Sequence, residues 1–196
     1  RRTFTANERP VLAWVQERTG LSFAVYVRRW NGSAWAEVGT GSGSGAGVSN
    51  TTGWALYPAL AAGPGNRLVV AWQENTGTDD QIHVRQWDGA AWGPLGQSRA
   101  AGGISHSPGR ARYPAVAVHT DGRPVVAWID DVSGAFEVFV RRWDGTNWVE
   151  MGAHSASDGG VSHTTGGIAG NEPPALALLP DGRPIVAWSD GSSGNA

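Results

Sequence analysis

The chain has 196 residues, 15 basic and 17 acidic side chains and a formal net charge of −2. This balance argues against both a basic nucleic-acid-binding surface and an acidic tail. The absence of Cys excludes disulfides, thiolate metal sites and cysteine nucleophiles. High contents of Gly (29), Pro (11) and Trp (11) favour short strands joined by turns over helices.

A repeat of about 57 residues organises nearly the whole chain. Its first landmark is a Trp that ends the phrase VLAW, VVAW, VVAW or IVAW, at positions 14, 72, 128 and 188. Its second landmark is W-[ND]-G-x-x-W, which begins at positions 30, 87 and 143. Because independent landmarks keep one period, the repeat is unlikely to arise by chance.

Each repeat predicts four strands, A to D. Strand A alternates Ala with larger aliphatic residues at 57–62, 113–118 and 173–178. Strand B is predicted at 9–14, 67–72, 123–128 and 183–188, and turns that contain Gly, two of them Asp-Gly, lead into the last three. Strand C follows at 23–30, 81–87 and 137–143, and an Asn-Gly or Asp-Gly turn leads to a short strand D at 35–39, 92–96 and 148–152. Residues 1–8 are a poor match to strand A.

The loop between strand D and the next strand A is also copied. It reads GVSNTTG at 47–53, GISHSPG at 103–109 and GVSHTTG at 160–166. Composition alone indicates a flexible linker, but repetition of the sequence favours a loop of defined geometry.

These patterns predict an all-β fold, a β-propeller of four-stranded antiparallel blades. The expected divisions of this single domain are blade 1 (1–56), blade 2 (57–112), blade 3 (113–170) and a half blade (171–196). Three blades and a fraction do not close a ring. The sequence therefore leaves open a segment of a longer chain, an open arc, or a two-chain ring formed by self-association. The start at RRTFT without Met suggests a processed or excerpted polypeptide.

The W-[ND]-G-x-x-W hairpin resembles the Asp-box hairpin of sialidase-type propellers, the bacterial neuraminidase repeat. Asp144, Gly145, Thr146 and Trp148 stand in the position of the box, although the Ser or Thr two residues before the Asp is missing and the spacing is shorter. The blades also look like tandem repeats of large secreted or surface bacterial proteins. The resemblance implies the propeller fold and an extracellular or cell-surface location; it says little about activity.

Two recurring polar sets are predicted to converge on the face that carries the B–C and D–A loops. The first set lies two residues after the Trp of strand B: Gln16, Glu74, Asp130 and Asp190. The second lies in the D–A loops: Asn50, His106 and His163. One acid and one imidazole or amide per blade would suit a sugar or a cation. The alternative is that the acids cap turn amides and the His side chains face solvent.

The second Trp of each C–D hairpin is a candidate sugar platform: Trp35, Trp92 and Trp148. The alternative is packing across the hairpin or between blades. Neither a cofactor nor a metal site is predicted, because no H-x-x-x-H spacing is present.

The function predicted is a non-enzymatic binding or scaffolding propeller whose ligand is a carbohydrate or a protein, with neither nucleic acid nor membrane insertion. Two alternatives stay open: an oligomeric lectin with one sugar site per blade, and a fragment of a sialidase-like glycoside hydrolase. A sialidase needs an arginine cluster and a Tyr nucleophile, but Tyr57 and Tyr113 are repeat equivalents. Catalytic residues are unique, so the sequence predicts no enzyme. An enzyme would require one asymmetric pocket, and a lectin would require equivalent ones.

Overall fold

The structure is a computed structural model that describes residues 9–18, 20, 22–75, 77, 79–164, 166–168 and 172–190. In these residues the regular structure consists of thirteen strands and one 3₁₀ turn, Pro64–Asn66. The all-β prediction is confirmed. The weak strand predicted at 1–8 lies outside the described residues.

The strands follow the predicted A-to-D order. Blade 1 contains β1 (Val11–Arg18), β2 (Ser22–Trp30) and β3 (Trp35–Glu37). Blade 2 contains β4 (Trp54–Ala62), β5 (Leu68–Asn75), β6 (Asp80–Trp87) and β7 (Trp92–Gly93). Blade 3 contains β8 (Arg112–Val118), β9 (Pro124–Asp130), β10 (Glu137–Trp143) and β11 (Trp148–Glu150), and a C-terminal hairpin contains β12 (Ala175–Leu178) and β13 (Pro184–Ala187).

Within each blade, consecutive strands pair antiparallel. A single parallel bridge between Phe23 and Trp54 joins blade 1 to blade 2, which makes one seven-stranded sheet, while blade 3 and the C-terminal hairpin form separate sheets. The residue bounds of the predicted blades and the full blade number stay predictions.

The C–D turns are held by the residue that follows the first Trp of the hairpin. One Oδ1 of Asp144 accepts hydrogen bonds from the backbone N–H groups of Thr146 and Asn147, both at 2.7 Å. Asp88 and Asn31 form the same turn. The backbone donors at Asn147 and Thr146 lower the pKa of Asp144. The Asp-Gly and Asn-Gly pairs thus act as turn formers.

The cores lie between neighbouring sheets. Val69 and Val84 of blade 2 pack with Val126 and Trp128 of blade 3, and the opposite face of blade 2 packs on blade 1. Strand B of blade 2 is therefore apolar on both faces, unlike the strands of a one-sided sheet. Each large buried side chain contributes on the order of 2 kcal/mol.

Trp side chains of the C–D hairpins connect each blade to the one before it. Trp92 Nε1–H donates to the carbonyl oxygen of Val38 at 2.6 Å, and Trp148 Nε1–H donates to that of Leu95 at 3.1 Å. We call these two bonds the tryptophan bridges. Trp35, the equivalent residue of blade 1, is 43% exposed.

The three D–A loops share one geometry. Ser49, Ser105 and Ser162 accept the backbone N–H of Val25, Ile82 and Val138 at 3.1, 3.0 and 2.8 Å. The next residue has a positive φ in each copy: 44° at Asn50, 48° at His106 and 44° at His163. The copied loop sequence therefore encodes a copied conformation, which places its side chains at equivalent positions.

Candidate functional site

Glu74 lies at the end of β5 and is fully bonded within the protein. Thr51 and Trp72 each donate a hydrogen bond to its carboxylate at 2.8 Å, and Arg99 pairs with it at 2.7 Å. Burial opposes ionisation, but the hydrogen bond from Arg99 and nearby positive charge hold the pKa of Glu74 below its usual value. This carboxylate is already satisfied, so its geometry matches a structural role.

Asp130 takes the same position in blade 3 but has different surroundings. Its carboxylate accepts hydrogen bonds from the Ser107 hydroxyl at 2.7 Å, the Val132 N–H at 3.1 Å and Trp128 Nε1–H at 3.3 Å. Burial raises the pKa of Asp130. Asp130 and His106 line one cavity of about 370 Å³. The structure thus brings together two residues that the sequence proposed as partners.

The remaining predicted ligand residues are spread over the molecule. Ile168 forms an isolated bridge with Asp190, and Asn50 and His163 are exposed on their loops. Trp92 and Trp148 form the tryptophan bridges. A ligand role for these residues, and for Trp35, stays a prediction.

A larger cavity of about 620 Å³ opens where the inner strands of blades 2 and 3 meet. Tyr57 of β4 and Tyr113 of β8 lie side by side in its wall, with ring centroids 4.5 Å apart. Tyr57 and the neighbouring Trp54 are each 49% exposed. We call this cavity the Tyr57/Tyr113 cleft. Two aromatic side chains of its wall are therefore open to solvent.

Both tyrosines adopt an unusual backbone conformation. Each has φ of 51°, in the left-handed region that bulky residues rarely occupy. Each lies where the pairing register shifts, between Leu56 and Ala59 in β4 and between Arg112 and Ala115 in β8. Such irregularities inside a strand re-aim side chains and concentrate at binding sites. Here they bring the two rings together.

The lining of the cleft also includes polar side chains. Gln73 is only 5% exposed, and its side-chain oxygen Oε1 has no hydrogen-bond partner among the described residues. Beside it, Asp80 pairs with Arg112 at 2.6 Å and accepts a hydrogen bond from Asn75 at 2.8 Å. An unpartnered buried acceptor is costly unless a ligand or water satisfies it.

The Tyr57/Tyr113 cleft is asymmetric. By the repeat period, Gln73 corresponds to Ile129, Asp80 to Phe136, and Trp54 to Arg110. Blade 3 therefore lacks the acceptor, the acid and the Trp of this wall. The sequence analysis missed the cleft because it treated Tyr57 and Tyr113 only as copies of each other. The signal was the contrast between VVAWQEN and VVAWIDD after strand B.

Comparisons with known proteins give the fold. No family model matches the sequence, and no curated protein matches it. Among solved structures, the chain is similar to an endo-arabinase from Bacteroides thetaiotaomicron, with TM-score 0.52, 10% identity, and coverage of 94% of this chain and 72% of that one. It is also similar to a Penicillium chrysogenum α-L-arabinanase complexed with arabinobiose, with TM-score 0.50, 18% identity, and coverage of 95% and 54%.

These likenesses confirm the propeller fold and correct one prediction. The expectation that the chain is not an enzyme is contradicted, because the two similar solved structures above are an endo-arabinase and an α-L-arabinanase. The chain spans about half the length of the arabinanase.

In the part of the chain that the structure describes, no group of three His, Cys, Asp or Glu side chains has the arrangement of a metal site. Among the same residues, no helix is long and apolar enough to cross a membrane.

Proposed function

We propose that this chain is a carbohydrate-active propeller that binds a glycan in the Tyr57/Tyr113 cleft. One observation carries the proposal: exposed aromatic side chains line the same cavity as Gln73, whose buried Oε1 has no hydrogen-bond partner among the described residues. Sugars present apolar C–H faces that pack on aromatic rings, and hydroxyls that donate to fixed acceptors. A volume of about 620 Å³ accommodates a small oligosaccharide, since ligand cavities span about 300–1,000 Å³.

Hydrolysis of the bound glycan is the second candidate, favoured by the asymmetry of the cleft and by its carboxylate. Asp80 is held by Arg112 and Asn75, which fixes its orientation. Burial and the hydroxyl of Tyr57 raise the pKa of Tyr113, so its phenol keeps its proton at neutral pH. Most glycoside hydrolases use two carboxyl groups, one of which donates a proton to the leaving group. In this cleft Asp80 would be the carboxylate and the Tyr113 phenol would take the place of the proton donor.

The first ligands tested are arabinobiose and arabinan, because the two similar structures are an endo-arabinase and an arabinanase complexed with arabinobiose. A broad glycan array follows. Binding is measured by calorimetry. Gln73→Leu removes the acceptor with little change in volume and should weaken binding about tenfold. Tyr57→Ala should weaken it more, because it removes the exposed ring. The control is Leu12→Ala, which removes an exposed apolar side chain of blade 1 outside the cleft and should leave affinity unchanged.

Release of reducing ends from the bound glycan tests the second candidate. Asp80→Asn should abolish release while the variant still binds. A protein that binds glycan without releasing reducing ends would limit the function to binding. A folded protein that neither binds nor cleaves any glycan of the array would overturn both candidates.

Three finer predictions accompany this proposal. The capped turn at Asp144 supports the resemblance to Asp-box hairpins. Self-association and an extracellular or cell-surface location stay predictions from the sequence, and solution mass and localisation measurements test them.

A further inference from the structure

Blades 2 and 3 contain two versions of one pocket that differ at a single key position. In each blade a Ser hydroxyl of the D–A connection donates to a carbonyl of strand C: Ser98 to Val84 at 2.8 Å and Ser155 to Val140 at 3.0 Å. These bonds align the two connections. The residue after the Ser is Arg99 in blade 2 and Ala156 in blade 3.

In blade 2 the protein fills the pocket with its own guanidinium group. Arg99 lies over the Trp72 ring, with its central carbon 5.0 Å from the ring centroid, and it pairs with Glu74 at 2.7 Å. Its side chain is only 18% exposed. Stacking on an aromatic face combined with a charge-assisted hydrogen bond is how a guanidinium is held in a partly buried site.

In blade 3 the equivalent groups line a cavity, and the Trp128 ring is only 1% exposed. Trp128 and Asp130 replace Trp72 and Glu74, and Phe139 stacks on Trp128 as His83 stacks on Trp72. With Ala156 in place of Arg99, a cavity of about 370 Å³ lies between these groups. Asp130 is 2% exposed, and no basic side chain of the described residues forms an ion pair with it.

We propose that this pocket of blade 3 binds the guanidinium group of a ligand, which takes the place that Arg99 fills in blade 2. The Trp128 ring supplies the stacking surface and Asp130 the counter-charge. The pocket is separate from the Tyr57/Tyr113 cleft, and the proposal does not depend on the proposed function.

The neighbouring Arg141 lines the same pocket, and blade 2 shows that a cation can be held beside an arginine at this position. Its blade 2 equivalent, Arg85, stands beside Arg99 in the filled pocket and leaves the same Nε atom unpartnered among the described residues. The filled pocket of blade 2 thus contains two arginines, Arg85 and Arg99, and one acid, Glu74. Asp158, at the rim of the blade 3 pocket, adds negative charge that blade 2 lacks, because Ala101 stands there.

The test is a titration of the full chain with methylguanidinium at millimolar concentration, followed through the indole N–H resonance of Trp128. We expect one saturable site. Ala156→Arg supplies the missing guanidinium from the chain itself and should abolish binding. Asp130→Asn should weaken binding at least tenfold. Methylammonium, which cannot stack as a plane, should bind at least tenfold more weakly.

Arg99→Ala is the matched variant because it empties the pocket of blade 2. It should gain a second methylguanidinium site, and millimolar methylguanidinium should raise its melting temperature more than that of the wild type. If Arg99→Ala does not fold, Ala156→Arg still tests the proposal. It only adds a guanidinium group to the pocket of blade 3 at the position where the pocket of blade 2 already has one. A capped arginine peptide that binds at least tenfold tighter than methylguanidinium identifies a polypeptide ligand. Equal affinity identifies a small guanidino compound.

The proposal is overturned if the folded wild type shows no saturable binding, if Ala156→Arg binds methylguanidinium as the wild type does, or if methylammonium binds equally well.

Discussion

A buried histidine makes the stability of this propeller sensitive to mild acid. His83 is 5% exposed, stacks on Trp72 with ring centroids 6.2 Å apart, and leaves Nδ1 without a partner among the described residues. Burial lowers the pKa of His83 from 6.5 to about 4, although the charge of Glu74 opposes the change. The folded protein therefore keeps this imidazole neutral where the unfolded chain takes up a proton.

The sign and size of the effect follow from linkage. Because the folded pKa lies below the unfolded one, the contribution of His83 is complete above pH 6.5 and is lost as the pH falls toward 4. Each pH unit within that window corresponds to ~1.4 kcal/mol, so the total reaches about 3 kcal/mol. His83→Phe copies the residue that blade 3 has at this position, Phe139, and should remove this loss.

Urea unfolding at about pH 7.5 and about pH 5 measures the difference. The wild type should lose about 2 kcal/mol more than His83→Phe between these conditions. His83→Tyr, which copies Tyr26 of blade 1, is the second control and should behave like the Phe variant. If the wild type and both variants lose the same free energy of unfolding, then His83 is not kept neutral and the reasoning fails.

Two further substitutions test the packing between and within blades. Trp148→Phe removes a tryptophan bridge and should lower the free energy of unfolding by about 1–2 kcal/mol. Trp35→Phe, at the exposed equivalent position, should change it little. Equal losses of stability for the two variants in calorimetric melting would contradict a stabilising role of the bridge. Gly160→Ala places a methyl group 2.1 Å from the carbonyl oxygen of Val138 and should prevent folding or cost several kcal/mol. Gly134→Ala, where φ is also positive but the space is open, should cost only about 1 kcal/mol, as measured by urea unfolding.

The fold could be predicted from the sequence because the sequences of its strands and turns recur together along the chain. The same apolar sequence ending in Ala-Trp recurs at strand B in every copy, and Asn-Gly or Asp-Gly closes every C–D hairpin, so local preference and long-range period agree. The ends of strands were less predictable. Strand D was expected at 92–96, but β7 is Trp92–Gly93, and Pro94 has no N–H to extend the ladder.

The Tyr57/Tyr113 cleft could not be predicted in the same way. Tyr57 and Tyr113 occupy equivalent positions, and equivalence in sequence hides the fact that neighbouring blades bring two copies within 4.5 Å of each other. Their positive φ values arise from register shifts that no turn residue announces. The difference between Arg99 and Ala156 is also present in the sequence. It was hard to see because the connection from Leu95 to Ser98 is one residue shorter than the connection from Met151 to Ser155, which shifts the alignment of the two repeats.

The tryptophan bridges give the propeller a direction. In each bridge the later blade is the donor and the earlier blade is the acceptor, so the two sides of a blade are chemically different and cannot exchange roles. The exposed indole of Trp35 therefore matches only a surface that offers a strand-D carbonyl in the same sense. Any further blade that covers Trp35, from this chain or another, joins head to tail. Repeated head-to-tail addition produces a closed ring or an open helix, and not a face-to-face pair in which the same surface of both partners meets.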